Sequence, residues 1–336
     1  MRNYSIKLKQ KHVWKMLTLS ISQIQEICKY ELKNGKEAAP YIRSEYNFGR
    51  KYEPSYNIAP SDITPVLVSS DHFESYERNS EVNENEMRFC IVPMLWGMIP
   101  FWHKGDYRKH GLTTNNCRLE HLLDSKLYKG PFMKGQRCII LCEGFYEWQT
   151  TQTAKSSNKP VYYIHMPQNV SIKMYDKSTW DEIRTLRLLK LAGIFDSWKD
   201  ENGDLIYSYS IITFESNEVL SWLHHRTPAI LETEQQAIDW IDFKRVPYKQ
   251  ALSVIKPPTH LSWYRVSNLV NSSRNKQASC NKPITDAKLE VRGNLLTNWL
   301  INGKRKEGLN SIAEKHDLDD SHSDAENIDK IKKRKT

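Results

Sequence analysis

The sequence predicts an α+β fold or a barrel-like sheet, in which strands dominate and few helices intervene. Apolar runs rich in β-branched and aromatic residues recur at residues 64–69, 137–141, 161–165 and 207–214. Runs of this length, bounded by polar turn formers, are typical of buried strands. Because several of them follow one another without regular helical patterns between, repeated βαβ units are disfavoured.

Length and charge narrow the class of protein. The 336 residues are enough for one large domain or two average ones, with a sizeable core. The net charge of +9 makes an acidic partner such as nucleic acid or an anionic membrane surface reasonable. No apolar run approaches the roughly 20 residues that span a bilayer, and the basic first 20 residues do not resemble a secretory signal. We therefore expect a soluble, intracellular protein.

The cysteines give no sign of a metal site. Their positions are scattered and lack metal-ligand spacing, and two of them lie too close along one strand for a disulfide. We predict reduced thiols, no metal and no cofactor. The six are Cys28, Cys90, Cys117, Cys138, Cys142 and Cys280.

The first regular element is predicted to be a short amphipathic helix. Ser20 or Ser22 is a good N-cap, and a helix that starts there is expected to end near Asn34 and Gly35. Its apolar positions recur at helical spacing. They are Ile21, Ile24, Ile27 and Cys28.

Residues 87–100 are strand-like and lead into an aromatic cluster at residues 96–102, which contains Trp96, Phe101 and Trp102. Such clusters are commonly buried in a core. The alternative is a platform on which the bases of a single strand stack. A polar run at residues 113–118 follows, and a helix is predicted over 119–127.

Residues 141–148 contain the first candidate reactive group. The predicted strand at 137–141 turns at Gly144, which can adopt backbone angles closed to other residues, and so presents Glu147 and Trp148 together. An apolar wall raises the pKa of a carboxyl group and prepares it for proton transfer. An ordinary sheet edge is the other interpretation.

A second polar cluster lies at residues 223–228. Two adjacent histidines, His224 and His225, are seldom both core residues, and Arg226 adds a fixed positive charge. A solvated surface triplet is the alternative interpretation.

The character of the chain changes near residue 285. Residues 317–326 are acidic and poor in apolar side chains, so we predict that residues 286–336 are mostly disordered. A short apolar face at helical spacing interrupts this tail, and it suits either docking to a replication factor or packing on the domain. A basic cluster near the end favours a nuclear location. The apolar face comprises Leu295, Leu296, Trp299 and Leu300, and the basic cluster comprises Lys332, Lys333, Arg334 and Lys335.

Five segments, in this order and rough spacing, resemble the SOS-response-associated peptidase (SRAP) family. The resemblance covers about residues 19–283. It implies a single domain of strongly twisted, barrel-like, mostly antiparallel sheets flanked by short helices, over residues 19–285. The segments are Ser55-Tyr56-Asn57 with Pro60, Trp96-Gly97 through Pro100 and Trp102, Asn116-Cys117-Arg118, Gly144-Phe145-Tyr146-Glu147-Trp148, and His224-His225-Arg226 with Pro228.

The resemblance implies covalent crosslinking to abasic sites in single-stranded DNA, as part of the DNA damage response, with a linked autoproteolytic activity. In that family an N-terminal cysteine supplies an amine that forms an imine with the ring-opened sugar, and the thiol then closes a thiazolidine. By match, Glu147 and His224 move protons, Asn116 orients the reactants, and Thr213 lines the pocket. The resemblance also places Arg118 and Arg226 on phosphates and Trp96, Trp148 and Pro60 against bases.

The chain departs from the family at its start. The family begins Met-Cys-Gly-Arg, whereas this chain begins Met1-Arg2-Asn3 and has no cysteine before Cys28. Residues 1–18 are therefore expected to be an atypical segment that an incorrect gene model or alternative first exon introduces. The alternative is a binding module for single-stranded or modified DNA that has lost the crosslinking activity. These two explanations differ on whether the chain is an enzyme, and the sequence does not decide between them. A general peptidase is disfavoured, because no Ser/His/Asp or internal Cys/His arrangement is evident.

Overall fold

The computed structural model describes residues 14–32, 34–43, 47, 49–73, 88–151 and 159–284. Nearly all of these belong to one compact unit that ends at Pro283. In the described ranges no helix is long and apolar enough to cross a membrane. Three predicted features lie outside the described residues: the docking face (Leu295, Leu296, Trp299, Leu300), the basic cluster (Lys332, Lys333, Arg334, Lys335) and most of the N-terminal segment. Those predictions, and the proposed domain boundaries, stay predictions.

A five-stranded antiparallel sheet carries the segment that contains Glu147. Its strand order is β15-β11-β10-β1-β5, so β1 and β10 lie side by side in its interior. The strands are β1 (Trp14–Leu17), β5 (Ser55–Ile58), β10 (Gly144–Trp148), β11 (Val161–His165) and β15 (Ser262–Val266).

A second sheet of eight strands contains a closed ring. Its order is β14-β13-β12-β9-β6-β7-β4, with β8 beside β13. Because β13 also pairs with β7, through Ser208 with Leu95 and Tyr209 with Trp96, the strands β13, β12, β9, β6 and β7 close on themselves. The strands are β4 (Tyr41–Ile42), β6 (Ile63–Ser69), β7 (Phe89–Trp96), β8 (Asn116–Arg118), β9 (Arg137–Cys142), β12 (Leu189–Lys199), β13 (Leu205–Glu215) and β14 (Arg226–Pro228). A separate small hairpin joins β2 (Tyr30–Glu31) and β3 (Glu37–Ala38).

The ring confirms the predicted α+β class with barrel-like, mostly antiparallel sheets. The strands predicted at 64–69, 137–141, 161–165 and 207–214 correspond to β6, β9, β11 and β13. The apolar runs form strands that are almost continuously buried, as in β6 and β9, because both faces of these strands are covered.

In the part of the chain that the structure describes, four short α-helices flank the sheets: α1 (Ile21–Ile27), α2 (Lys129–Met133), α3 (Glu234–Ile241) and α4 (Tyr248–Val254). Ser20 caps α1 in a capping box with Gln23, as the sequence predicts. The predicted end near Gly35 is wrong, because the chain leaves the helix after Ile27 and Gly35 forms the turn of the β2–β3 hairpin instead.

The predicted helix at 119–127 is also wrong. Residues Leu119–His121 form one turn of 3-10 helix, and the chain then turns before α2. Leu122, the residue that follows this turn, is completely buried. Local propensity favours a continuous helix here, but burial of Leu122 is achieved by a single turn of 3-10 helix instead.

Candidate active site

Glu147 lies in β10 and is only 3 % exposed. Its Oε1 accepts a hydrogen bond from the backbone N–H of Trp148 at 3.2 Å, whereas its buried Oε2 has no partner among the described residues. Burial raises the pKa of the Glu147 carboxyl to about 8. The group is therefore protonated at neutral pH, which suits a proton donor in a closed pocket.

Gly144 shapes the start of β10 through packing, which differs from the expected turn. Its φ is not in the left-handed region, so the predicted special backbone angle is wrong. A Cβ built at this position would lie 2.4 Å from the Tyr163 hydroxyl and 2.6 Å from the Ile164 carbonyl oxygen. Only glycine lets β11 approach β10 this closely.

A second carboxylate, Glu143, fixes the end of β1. It is fully buried, and its Oε1 accepts hydrogen bonds from the Thr18 backbone N–H at 2.6 Å and the Thr18 hydroxyl at 2.8 Å. The backbone N–H of Glu143 also donates to the Met16 carbonyl. Burial raises the pKa of Glu143, while the Thr18 bonds act in the opposite direction. These bonds hold β1 in register beside β10.

His224 is half-buried in the loop before β14. Its Nδ1 lies 3.1 Å from the backbone nitrogen of Arg226, and desolvation by burial lowers its pKa below the usual value. The imidazole is thus neutral at pH 7 and able to accept a proton. The segment after Glu147 reaches this loop directly, because the Thr150 N–H donates to the Leu223 carbonyl and the Gln149 amide to Trp222.

The side chains of Thr213 and Arg226 meet next to β8. The guanidinium of Arg226 donates to the Thr213 carbonyl at 2.7 Å and to both oxygens of Glu120, at 2.5 and 3.0 Å. Arg118, which pairs with Thr213 in the β8–β13 register, is exposed and has no ion pair or hydrogen bond of its side chain within the described ranges. Two residues before it, Asn116 has a buried Oδ1 without a partner in the described part of the chain.

Pro60 and Trp96 line an open cleft of about 250 Å³ beside this strand. The cleft continues along residues 111–115 toward Asn116. Trp96 is 1 % exposed and donates from its indole N–H to the Asn115 carbonyl at 3.0 Å. Its ring is a wall rather than an open face for a base, so the expected stacking by Trp96 does not fit this structure.

The same correction applies to Trp148. It is 3 % exposed, its indole N–H donates to Asn271 at 2.6 Å, and its ring packs edge-on against Trp14. The exposed aromatics of the predicted cluster are Phe101 and Trp102, at 56 % and 40 %. The Lys126 ammonium lies 4.7 Å from the Trp102 ring centroid, which adds positive charge to this exposed pair.

The contacts therefore arrange the predicted residues in two connected groups. Asn116, Arg118, Thr213 and Arg226 adjoin along β8, β13 and β14, and the His224 loop connects them to the strand that holds Glu147 and Trp148. In the part of the chain that the structure describes, no three His, Cys, Asp or Glu side chains form a metal cluster.

Sequence reasoning missed Lys15. It lies in β1 between buried apolar residues, is 1 % exposed, and donates to the Tyr209 hydroxyl at 2.5 Å and Thr64 at 3.1 Å. The alternation of Trp14, Lys15 and Met16 is compatible with a strand. Four lysines among residues 7–15 instead gave this stretch the appearance of a basic segment without a pattern.

Comparison with known proteins identifies a family and several relatives. A family model described as SOS response associated peptidase (SRAP) matches residues 17–273. A Xenopus tropicalis protein named abasic site processing protein HMCES is 36 % identical over 303 residues, covering 88 % of this chain and 87 % of that protein. The Bacillus subtilis abasic site processing protein YoaM is 27 % identical over 230 residues, covering 68 % of this chain and 84 % of that protein.

Solved structures share the fold. A crystal structure of a protein from Bacteroides thetaiotaomicron superposes with a TM-score of 0.56 at 20 % identity, covering 81 % of this chain and 99 % of that one. A protein from Bordetella bronchiseptica gives a TM-score of 0.51 at 15 % identity, covering 76 % and 99 %. At these identities the likeness concerns the architecture alone.

Proposed function

The chain belongs to the SOS-response-associated peptidase family, and from this we propose that it processes abasic sites in single-stranded DNA by forming a covalent DNA–protein crosslink. The observation that carries the proposal is the state of Glu147. Glu147 is a buried, protonated carboxyl with an unpartnered oxygen, and the segment that follows it is hydrogen-bonded through Gln149 and Thr150 to the loop that carries the neutral His224. Such a pair of groups suits transfers of protons to and from one small substrate.

The chemistry needs those transfers. An abasic deoxyribose opens from its cyclic form to an aldehyde, and an amine that adds to the aldehyde carbon gives a carbinolamine and then an imine. Glu147 donates a proton to the departing hydroxyl, and His224 accepts one as the sugar ring opens. The Asn116 amide orients the reactants, because its buried Oδ1 lacks a partner until a donor arrives. Thr213 holds the Arg226 side chain at the edge of the pocket.

DNA is held by groups around this pocket. Arg118 and Arg226 take phosphates, Pro60 borders the cleft, and the exposed pair Phe101 and Trp102 replaces Trp96 and Trp148 as the surface for base stacking. The linked autoproteolytic activity that the family resemblance implies is part of the same proposal, as is a nuclear location.

A second candidate function is a binding module without a nucleophile. The exposed aromatic pair with Lys126 beside it supports this alternative, since base stacking and phosphate contacts need no reactive group.

One experiment separates the two functions. The full chain is incubated with a single-stranded oligonucleotide that carries one abasic site, and with the intact oligonucleotide as control, and each sample is run on a denaturing gel. A shifted band that needs the abasic site supports crosslinking. Retained affinity without such a band supports the binding module, and the absence of both would contradict each proposal.

A further inference from the structure

A row of side chains leads from Glu147 to the edge of the five-stranded sheet. Glu147 in β10 is directly opposite Tyr162 in β11, and Tyr162 is opposite Arg265 in β15, the last strand of this sheet. Side chains of opposed residues in antiparallel strands point to the same face, and that face recurs at every second residue. Trp263, two residues before Arg265, therefore lies on the face that carries Glu147.

Three aromatic rings cover this face between the candidate site and the sheet edge. The Trp222 ring meets Tyr162 edge-on at a centroid distance of 5.0 Å and lies 5.4 Å from the Trp263 ring. Tyr162 and Trp222 are half-buried, whereas Trp263 is 42 % exposed. Exposure thus increases outward from the buried Glu147. Rings that are open to solvent in this way are surfaces on which unpaired bases stack.

Trp222 is held by hydrogen bonds from the segment that follows β10. Its carbonyl accepts bonds from the side chains of Gln149 and Thr151, and its indole N–H donates to the Val219 carbonyl at 3.0 Å. Trp222 precedes His224 by two residues in the same loop. The aromatic row is therefore continuous with the candidate active site.

Two cationic side chains adjoin the row. Arg265 lies at its outer end on β15, and the buried Nε of this guanidinium has no hydrogen-bond partner among the described residues. Lys159 lies two residues before β11, near His224. Burial is the main cause of the lowered pKa of His224, and the charge of Lys159 contributes in the same direction. A polyanion that crosses this face meets positive charge at both ends of the row.

We propose that single-stranded DNA flanking the abasic site crosses this face, with bases stacked on Trp222 and Trp263 and phosphates beside Lys159 and Arg265. This inference rests on the proposed function and adds a second DNA-binding surface to it. The strands β10 and β15 are two strand spacings apart, about 10 Å. That distance corresponds to about three nucleotides of a stacked strand at roughly 3.4 Å each.

Photocrosslinking of the unmodified full chain tests the assignment. Single-stranded oligonucleotides carry a tetrahydrofuran abasic analogue, which has no aldehyde, and one 5-iodouracil about three nucleotides away on either the 5′ or the 3′ side. After irradiation, proteolysis and mass spectrometry locate the adduct. We expect it on Trp263 or Trp222 from one of the two flanks. Adducts that map elsewhere from both flanks would overturn the proposal.

Variants supply the second arm, with three oligonucleotides that carry the analogue at the centre, the 5′ end or the 3′ end. Trp263→Ala should reduce affinity about fivefold or more for the centred oligonucleotide and for the one that keeps the stacked flank. It should leave affinity for the oligonucleotide without that flank unchanged. Trp263→Phe should retain most of the affinity, and Ile238→Ala, which truncates an exposed apolar side chain on α3, serves as the control.

The outcomes distinguish this surface from the proposed function. An equal loss for all three oligonucleotides, or no loss for any, overturns the role of Trp263 and leaves abasic-site crosslinking standing. A change only in the sedimentation of the DNA-free protein would assign the edge to a contact between two copies and also overturn that role. If the wild type forms no band stable to denaturation with true abasic DNA, the proposed crosslinking falls, and a flank-dependent loss would then support the surface as part of the binding module.

Discussion

Glu143 and Glu147 are identical in type, four residues apart and equally buried, yet their environments differ. Glu143 is 0 % exposed and accepts hydrogen bonds from the backbone and side chain of Thr18, whereas Glu147 is 3 % exposed and has one unpartnered oxygen. Burial alone therefore does not separate a reactive carboxyl from a structural one. Hydrogen bonding distinguishes the two carboxyls. A buried polar atom without a partner destabilises the fold, so such an atom in a native protein calls for an explanation such as a functional role.

The largest expected effect is on crosslinking by Glu147→Gln. The amide keeps the size of the side chain but cannot donate a proton as an acid, so we expect the rate to fall by about 100-fold or more. The measurement is the rate at which the abasic oligonucleotide forms a band stable to denaturation. Affinity for the DNA should change little, and a rate within threefold of wild type would remove Glu147 from the chemistry.

Glu143→Ala tests the other half of the comparison. It leaves the Thr18 N–H without its acceptor inside the protein and creates a cavity, so we expect a loss of about 3 kcal/mol in the free energy of unfolding. Urea denaturation measures this loss, with Glu232→Ala, which removes an exposed set of hydrogen bonds to Thr259, as the comparison. A stability equal to wild type would show that Glu143 does not hold β1.

Glu147 and Lys15 are expected to change the free energy of unfolding in opposite directions as the pH rises. The folded-state pKa of Glu147, about 8, exceeds the ordinary value of 4.5, so its contribution to stability is present below pH 4.5 and is lost as the pH rises toward 8. Lys15 acts oppositely, because its pKa is lowered from 10.5 to about 7 and stability increases as the pH rises between these values.

Two variants separate the contributions of Glu147 and Lys15 to the free energy of unfolding. Relative to wild type, Glu147→Gln should gain stability steadily from pH 5 to pH 7, at most about 1.4 kcal/mol per pH unit. Lys15→Met should remove the increase between pH 7 and pH 10. Urea midpoints measured across the pH range check both, and curves parallel to wild type would mean that neither group has a shifted pKa.

The strands were predictable from sequence, because they depend on local pattern, whereas the role of Glu147 as an acid stays a proposal. The apolar runs predicted β6, β9, β11 and β13, and the Glu147–Trp148 pair directed attention to β10. The sequence left open whether the rings of the 96–102 cluster are buried or exposed, since an aromatic run looks the same whether its rings face the core or the solvent. Lys15 was missed for a related reason. Its burial depends on hydroxyls from β6 and β13, which are 49 and 194 residues away in sequence.

The smallest effects are expected at the two arginines, which repeat the contrast between partnered and unpartnered groups. Arg226 is held by Glu120 and Thr213, whereas Arg118 is exposed and has no side-chain partner within the described ranges. An arginine that is already paired gives up an existing interaction to bind a phosphate, so its net gain is smaller. We expect both Arg118→Ala and Arg226→Ala to weaken single-strand binding.

Salt titrations distinguish the contributions of Arg118 and Arg226 to DNA binding. Arg118→Ala should reduce affinity about fivefold and lower the slope of log affinity against log salt concentration by about one phosphate contact. Arg226→Ala should change the slope less, and Glu120→Gln, which frees the guanidinium, should raise affinity. Fluorescence anisotropy with a labelled single strand at four salt concentrations measures all three variants. A larger change of slope for Arg226→Ala than for Arg118→Ala would mean that the ion pair between Arg226 and Glu120 opens when DNA binds. Hydrogen bonds in the free protein would then show which carboxyl groups are structural, but they would not show which arginines are.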